Sequence, residues 1–271
     1  MTPADFLAHS PLARLEARML LQHITGYTRA QLITHDHLPL TAAQIAQLHD
    51  LSQRRLAGEP MAYLLEGREF YGRWFHTTPA TLIPRPETEH LVEAVLARLP
   101  ANGKVWDLGT GSGAIGITLA CERPDCQVFA SDISAAALAV AQHNAQTLNA
   151  HNITFACGSW FAVNQAVLPH DFDVMVSNPP YIEADDVHLQ QGDLRFEPPH
   201  ALTDFADGLS CIRQLAAGAA AFIKPQGWLL VEHGYQQGAA VRDIFTQHAW
   251  QDIATLTDLA QLDRITLGRW R

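Results

Sequence analysis

From residue 104 onward the chain alternates short apolar runs with segments of helical spacing, and this alternation restricts its fold more than any other feature. "KVWDLG" precedes a helical stretch near 113–122, "QVFASD" precedes another near 135–149, and "NITFAC" and "FDVMVSN" follow. A helix with apolar positions Leu209, Ile212, Leu215, Ala216, Ala219 and Phe222 leads into "WLLVEH", and two further strands are expected near 251–257 and 264–270. Strands separated by helices form a doubly wound, mostly parallel α/β sheet, because a parallel return needs a crossover long enough to hold a helix. Ligands of such sheets bind beyond the carboxyl ends of the strands. The loops that follow those ends are therefore where function is expected.

The first 60 residues have a different rhythm. Thr2-Pro3 with Asp5, and Ser10-Pro11, read as helix starts, and Leu12, Leu15, Met19, Leu20 and Ile24 follow at helical spacing up to Gly26. Thr28 with Gln31 and Thr41 with Gln44 match the capping-box pattern, and Ile45, Leu48, Leu51 and Leu56 give a further helix an apolar face before Gly58 and Pro60. The expected organisation is a helical domain over 1–60, a hairpin and proline-rich connector over 61–86, and the α/β domain over 87–271. The connector holds "MAYLLEGREFYGRWFHTT" and then "PATLIPRPETEH", with Pro86 at the start of a helix carrying Leu91, Val92, Val95, Leu96 and Leu99.

Charge and composition narrow the partners. With 28 acidic against 18 basic residues the formal charge is −10, which disfavours a surface built to neutralise a nucleic-acid backbone. No apolar run approaches bilayer length, and "MTPADFLAHS" has neither the basic start nor the apolar core of a signal peptide, so neither membrane nor nucleic acid is an expected partner and the expected compartment is the cytoplasm. The four cysteines form no C-x-x-C pair, and the "HDH" at 35–37 stands without a second ligand cluster, so no metal site is expected.

Two loops carry chemistry. "DLGTGSGAIG", Asp107 to Gly116, follows the first strand of the sheet; Gly109, Gly111 and Gly113 allow a sharp turn and close approach to a ligand, and the helix after them points free N–H groups at it. Gly111, Gly113 and Gly116 also satisfy the dinucleotide pattern G-x-G-x-x-G. Asp132, ending "FASD", could accept hydrogen bonds from two ribose hydroxyls of either NAD or S-adenosylmethionine. Asp107 favours the second, since an acid beside the loop suits a cationic sulfonium and opposes a pyrophosphate. After the fourth strand comes "SNPPYI", in which two prolines freeze two φ angles and remove two donors, leaving a stiff loop that carries an amide and an aromatic ring.

Asp107-x-Gly109-x-Gly111-x-Gly113, Asp132 and Asn178-Pro179-Pro180-Tyr181 together resemble the motif set of class I S-adenosylmethionine-dependent amino-methyltransferases. More narrowly, "TLIPRPETE", "SNPPYI", "HLQQGDLRFEPPHAL", "DGL" and "LLVEHGYQQG" resemble the peptide chain release factor glutamine methyltransferase (PrmC/HemK) family, over nearly the whole chain. The resemblance implies S-adenosyl-L-methionine as cofactor, held by Gly109, Thr110, Gly111, Ser112, Gly113, Asp132, Trp160 beside the adenine, and Asn178. It implies as substrate the glutamine of the Gly-Gly-Gln motif in bacterial class 1 release factors, methylated at N5 and bound by Asn178, Pro179, Pro180 and Tyr181. Asn178, through its side-chain oxygen, and Pro179, through its carbonyl, would accept hydrogen bonds from the amide NH₂, with the Tyr181 ring packed on the planar group; Asn178, Pro179 and Tyr181 are the expected catalytic residues. A core tryptophan is the competing, less favoured reading of Trp160, Ile182 is read as core and His233 as a structural histidine at a strand end. Two departures from the family pattern stand out: "DLAQLDRITLGR" at 258–269 replaces a loop with Gly and Asn, and "TDFADGL" lacks a glycine before its last three residues. A DNA amino-methyltransferase, which would flip a base into the same pocket, and a non-catalytic nucleotide-binding module remain as alternatives.

Overall fold

A computed structural model describes residues 1–163 and 169–271. The N-terminal helices start where local chemistry satisfies their free N–H groups. In α1 (Pro3–His9), α3 (Arg29–Thr34) and α4 (Ala42–Leu56), residues Thr2, Thr28 and Thr41 close capping boxes with Asp5, Gln31 and Gln44. Between them, α2 (Arg14–Thr25) begins three residues later than Ser10-Pro11 suggests. Ser10 instead ends α1, its N–H donating to the Phe6 carbonyl at 2.9 Å, and its hydroxyl accepts from Leu12 N at 3.3 Å, which turns the chain first. Leu20, Leu21 and Leu48 are fully buried with Leu32, Leu51 and Leu64 in one small core, whereas Leu15 and Leu56 remain exposed.

Residues expected to open a hairpin at 61 wind one helical turn first, α5 (Met61–Leu64), started by Pro60. The hairpin is β1 (Gly67–Phe70) with β2 (Arg73–His76), registered Phe70 to Arg73, and both turn residues, Tyr71 and Gly72, take left-handed φ values of 51° and 71°. Its two phenylalanines, Phe70 and Phe75, are fully buried against the larger body, beside Leu91, Val92 and Val95 of α6 (Glu89–Leu96). A 3₁₀ turn over Pro86–Thr88 leads into that helix.

The larger body is an eight-stranded sheet in the order β6-β5-β4-β3-β7-β8-β10-β9. In chain order these are β3 (Lys104–Leu108), β4 (Gln127–Asp132), β5 (Ile153–Ser159), β6 (Ala162–Val163), β7 (Phe172–Ser177), β8 (Ile223–Glu232), β9 (Gln251–Thr257) and β10 (Asp263–Arg269). The five strands β5-β4-β3-β7-β8 run parallel, while β6 and the β9–β10 hairpin are antiparallel at the two edges. The helices are α7 (Ala114–Glu122), α8 (Ala135–Thr147), α9 (Pro199–Leu202), α10 (Ser210–Gly218) and α11 (Gly238–Gln247). Side-chain alternation sorts each strand between two cores. Val105, Val174, Val176 and Leu230 pack with α6 and α7, and Trp106, Met175, Leu229 and Val231 pack with α10 and α11. A sheet covered on both faces needs strands that are apolar throughout, which is why their sequences read as runs and not as alternations.

Candidate active site

The strand order brings together two loops about 70 residues apart in sequence. The chain leaves β3 toward β4 on one side and later returns as β7 on the other, so β3 and β7 are neighbours across a switch point. Their ends are fastened by the Ser177 hydroxyl, which donates to the Leu108 carbonyl at 2.7 Å. The glycine loop leaves one strand and Asn178-Pro179-Pro180-Tyr181 leaves the other.

The glycine loop is held from below. Gly109, Gly111 and Gly113 take φ values of 73°, 57° and 84°, a region that side chains disfavour. A Cβ on Gly111 would meet nothing within 4 Å, so the backbone there is open, while one on Gly113 would strike Ile117 at 2.3 Å. Asp107, expected beside the sulfonium, is fully buried under the loop and is not on the cavity wall. Its Oδ2 accepts from the Thr110 hydroxyl at 2.6 Å and from Gly116 N at 2.9 Å, which closes the loop onto α7; Oδ1 has no partner among the described residues. Burial pushes its pKa up to about 7, against the pull of those two donors. The reason for the difference is position: Asp107 lies within β3, two residues before the chain turns, and its side chain faces the helix.

Asp132 does face the cavity. Gly111 N donates to its Oδ2 at 2.9 Å and Ser134 N to its Oδ1 at 2.8 Å, so each carboxylate oxygen is fixed by one backbone donor and keeps accepting capacity for another. Beside it, Trp160 takes φ 47° and lies over the glycine loop, its ring 3.6 Å from the place a Gly109 Cβ would occupy. Ile133, 65% exposed, adds a second apolar group to the same wall. A carboxylate with two spare acceptor sites, two apolar side chains and an open backbone at the start of α7 fit an adenosyl group with an amino-acid tail.

These residues line a cavity of about 290 Å³. Of the residues expected in the site, Gly109, Thr110, Gly111, Ser112, Asp132, Trp160, Asn178 and Pro180 are on its wall; Gly113, Pro179 and Tyr181 are not. Asn178 Nδ2 donates to the Thr88 hydroxyl oxygen at 3.2 Å, which leaves the amide oxygen, Oδ1, as the free end of the side chain. The Tyr181 hydroxyl is 3.4 Å from Oε1 of Glu232, a fully buried residue at the end of β8. His233 next to it is also buried, with Nε2 2.8 Å from the Thr266 hydroxyl and Nδ1 2.9 Å from the Gly234 carbonyl, a structural arrangement.

Sequence reasoning did not place the connector in the cavity. Phe70, Leu82, Pro84, Arg85 and Thr88 line it opposite the glycine loop, as do His200 and Phe205 from the segment around α9. Arg85 pairs with Glu197, whose other oxygen accepts from Ile83 N at 2.9 Å, so the connector is tied to the chain that follows the Asn-Pro-Pro-Tyr loop. The resemblance of "TLIPRPETE" was the signal; nothing in its prolines alone indicated which side would face a ligand.

Residues 4–65 match the family described as the PrmC N-terminal domain, and residues 86–194 match the methyltransferase small domain. The chain is 57% identical over 272 residues to the release factor glutamine methyltransferase of Neisseria gonorrhoeae, covering 100% of this chain and 98% of that protein. It is 49% identical to the protein of the same name in Bordetella pertussis, with 97% of each covered, and 44% identical to that of Escherichia coli, with 97% and 95% covered. Among solved structures, a methyltransferase from Pyrococcus furiosus aligns with TM-score 0.56 at 14% identity, over 84% of this chain and 98% of that one, a likeness of fold.

Proposed function

The chain belongs to the release factor glutamine methyltransferase family, and from that premise we propose that it methylates N5 of the glutamine in the Gly-Gly-Gln motif of bacterial class 1 peptide chain release factors. It is an S-adenosylmethionine-dependent methyltransferase. Bound in the cavity, that cofactor supplies a methyl group on a sulfonium, an activated leaving group.

What the chain must add is orientation. An amide nitrogen is a poor nucleophile, because its lone pair is delocalised into the carbonyl. Acceptors that hold both N–H bonds favour a pyramidal nitrogen, and they gain strength as positive charge develops on it, so they act on the transition state more than on the ground state. Asn178 Oδ1 is one such acceptor and the carbonyl of Pro179 the other. The observation that carries this reading is the Asn178–Thr88 hydrogen bond, since an amide whose NH₂ end is turned to Thr88 points its oxygen away from it. The two prolines keep the acceptors fixed at no entropic cost during the reaction.

The N-terminal helices would supply contacts to the body of the release factor, because a glutamine on a small loop gives little area for discrimination. The binding assignments of Gly109, Thr110, Gly111, Ser112, Gly113, Asp132 and Trp160 to the cofactor, and of Pro180 and Tyr181 to the substrate, belong to the same reading. No described helix is long and apolar enough to cross a membrane. The test is labelled methyl transfer to purified release factor, to the same factor with its motif glutamine changed to alanine, and to duplex DNA. Label in the first alone is expected. Transfer to DNA and not to the release factor would overturn the proposal.

A further inference from the structure

Two segments of the family pattern, "DGL" at 207–209 and "LLVEHGYQQG" at 229–238, meet behind the Asn-Pro-Pro-Tyr loop at one backbone atom, the carbonyl oxygen of Tyr181. Gln237 Nε2 donates to it at 3.0 Å. Gly208 closes on it from another side: its φ is 72°, and a Cβ there would stand 2.4 Å from the Tyr181 oxygen and 2.9 Å from Gln237 Nε2, so only a bare Cα fits. The direction of the Gln237 amide is fixed by its partners. Its Oε1 accepts from Gly234 N at 2.8 Å, while Nε2 faces the Tyr181 carbonyl and, at 3.4 Å, the Gly208 carbonyl. All three are backbone groups of fixed polarity, so turning the amide over would set donor against donor and acceptor against acceptor. Gln237 N donates in turn to the Gly234 carbonyl at 2.9 Å at the start of α11, which holds the base of the side chain.

The loop needs a hold from outside itself. Pro179 and Pro180 bring no N–H, and among the described residues Gln237 is the one side chain that hydrogen-bonds the backbone of residues 178–181. Ile182 N donates to the Leu202 carbonyl at 3.0 Å, so the peptide plane between Tyr181 and Ile182 is fixed at both its oxygen and its N–H. Between that plane and the Pro179 carbonyl the soft torsions are Pro180 ψ and those of Tyr181, because proline fixes its own φ. The other end of the loop is fastened through the Ser177 hydroxyl and the Asn178 amide.

We propose that Gln237 is a positioning residue: by gripping the Tyr181 carbonyl it sets where the Asn-Pro-Pro-Tyr loop places its acceptors, the Asn178 side-chain oxygen and the Pro179 carbonyl. The inference rests on the reading in which those two acceptors hold the target amide. A loop stiffened by prolines moves as a unit, so losing the hold at one end swings the acceptors together away from the line of methyl transfer. Cofactor contacts on the Asp132 wall stay as they were, and the effect falls on the chemical step. The charged and titratable groups around the junction are Asp204, whose Oδ1 accepts from Gly208 N at 2.9 Å, His233, whose Nδ1 is 2.9 Å from the Gly234 carbonyl, Arg242 and Asp263, 3.7 Å apart beside Gly238, and Glu232 at the Tyr181 hydroxyl. None of them is hydrogen-bonded to the Gln237 amide among the described residues.

The test measures kcat, KM for the intact release factor, and cofactor affinity by calorimetry, for the full-length protein and for Gln237→Leu, Gln237→Glu and Asn178→Ala. Gln237→Leu should lower kcat roughly 10–100-fold, the larger figure being the loss that about 1 Å of misplacement causes, with KM and cofactor affinity changed less than about threefold. Gln237→Glu separates donation from shape. An ionised carboxylate still accepts from Gly234 N but has no proton for the Tyr181 carbonyl, so at about pH 8 this variant should be as slow as Gln237→Leu. A protonated carboxyl has one, and two facing carbonyl oxygens disfavour its charge. Its kcat relative to wild type at the same pH should therefore recover as pH falls toward about 5.5, while that of Gln237→Leu should not. Comparison at equal pH removes the titration of the surrounding groups. Wild-type kcat in folded Gln237→Leu, a loss that falls on KM or cofactor affinity instead, or a Gln237→Glu variant that stays slow at low pH would each overturn the proposal. Should Gln237→Leu not fold, Gln237→Glu carries the test through its pH profile. Full activity of Asn178→Ala would overturn the reading of the site itself; a slow Asn178→Ala beside fully active Gln237→Leu and Gln237→Glu defeats this inference alone.

Discussion

At the scale of single residues, the two acceptor side chains that face the cavity, Asp132 and Asn178, are held by unlike means. Asp132 is fixed by backbone N–H groups of Gly111 and Ser134, and those do not depend on the ligand, so its geometry is prepared before binding. Asp132→Ala should therefore weaken cofactor binding by about 1.5–3 kcal/mol, the range for hydrogen bonds to a charged group, measured by calorimetry on a variant with an unchanged melting profile. Undiminished affinity would remove Asp132 from the cofactor site. Asn178 is fixed by one side-chain bond, to Thr88, and the task proposed for it is in the transition state. Asn178→Ala should lower turnover by roughly 10²–10³, as loss of a preorganised polar group does, with a smaller effect on cofactor affinity. Single-turnover rates with labelled cofactor would show it, and a normal rate would defeat the orienting role. Both residues stand on the cavity wall where the sequence points, since Asp132 ends β4 and Asn178 follows β7, each with a polar group where a turn begins. Asp107 was misjudged for the opposite reason. Sequence shows that an acid precedes a glycine loop, but only the fold shows that its carboxylate turns toward α7 and staples the loop from behind.

At the scale of elements, the helices and parallel strands could be read directly because their signals are local. Capping boxes at Thr2, Thr28 and Thr41 and apolar runs in β3, β4, β7 and β8 each depend on residues within a few positions. The part that could not be read is what joins elements distant in sequence. Asn144, on α8 and 1% exposed, illustrates it. Its Nδ2 donates to the Ser112 carbonyl at 2.9 Å and the His76 carbonyl at 3.0 Å, and its Oδ1 accepts from His76 N at 2.9 Å. One side chain thus joins the connector hairpin to the glycine loop, and nothing in "AQHNAQ" marks it. Asn144→Leu leaves the buried Ser112 carbonyl and the half-buried carbonyl and N–H of His76 without this partner, so it should cost about 2–4 kcal/mol in urea unfolding and should loosen cofactor binding as well. A variant with wild-type stability and affinity would show that the hairpin and the loop are held by packing alone. The hairpin also matters for where the chain can be cut. Phe70 and Phe75 are core residues of the larger body, so removing residues up to about 70 would open that core, whereas a cut near Gly58 spares it. Deleting residues 1–58 should leave cofactor binding nearly intact and sharply reduce methylation of the intact release factor; equal kinetics on that substrate would contradict a recognition role for the N-terminal helices.

At the scale of the whole molecule, the site imposes a pH dependence on the fold. Asp107 and Glu232 are fully buried, and burial raises both pKa values to about 7, from 3.8 and 4.5 respectively. Glu197 is shifted in the same direction by its burial, against the pull of Arg85. For a carboxyl whose folded pKa is the higher one, the folded state holds a proton that the unfolded chain has released, so stability falls as pH rises between the two values. His233 has the opposite sign: burial lowers its pKa below 6.5, so below that value the unfolded state binds the extra proton and stability rises with pH. One histidine works against three carboxyls, and above about 6.5 it no longer contributes, so the net expectation for the ligand-free protein is a loss of stability between about pH 5 and pH 7.5. The surface carboxylates whose pKa values are lowered, such as Asp125 beside Arg123, act only at more acid pH and do not enter this window. Urea unfolding midpoints at pH 5.5 and pH 8 measure the difference, and Asp107→Asn with Glu232→Gln should flatten it. A midpoint that rises with pH, or a slope unchanged in the double variant, would contradict the assignment. Glu232 titrates beside the loop that carries Asn178, since its Oε1 lies 3.4 Å from the Tyr181 hydroxyl. Its replacement by glutamine should yield a protein that is more stable at pH 8, because the buried charge that the carboxylate must carry there is gone, and an unchanged urea midpoint at that pH would contradict a raised Glu232 pKa.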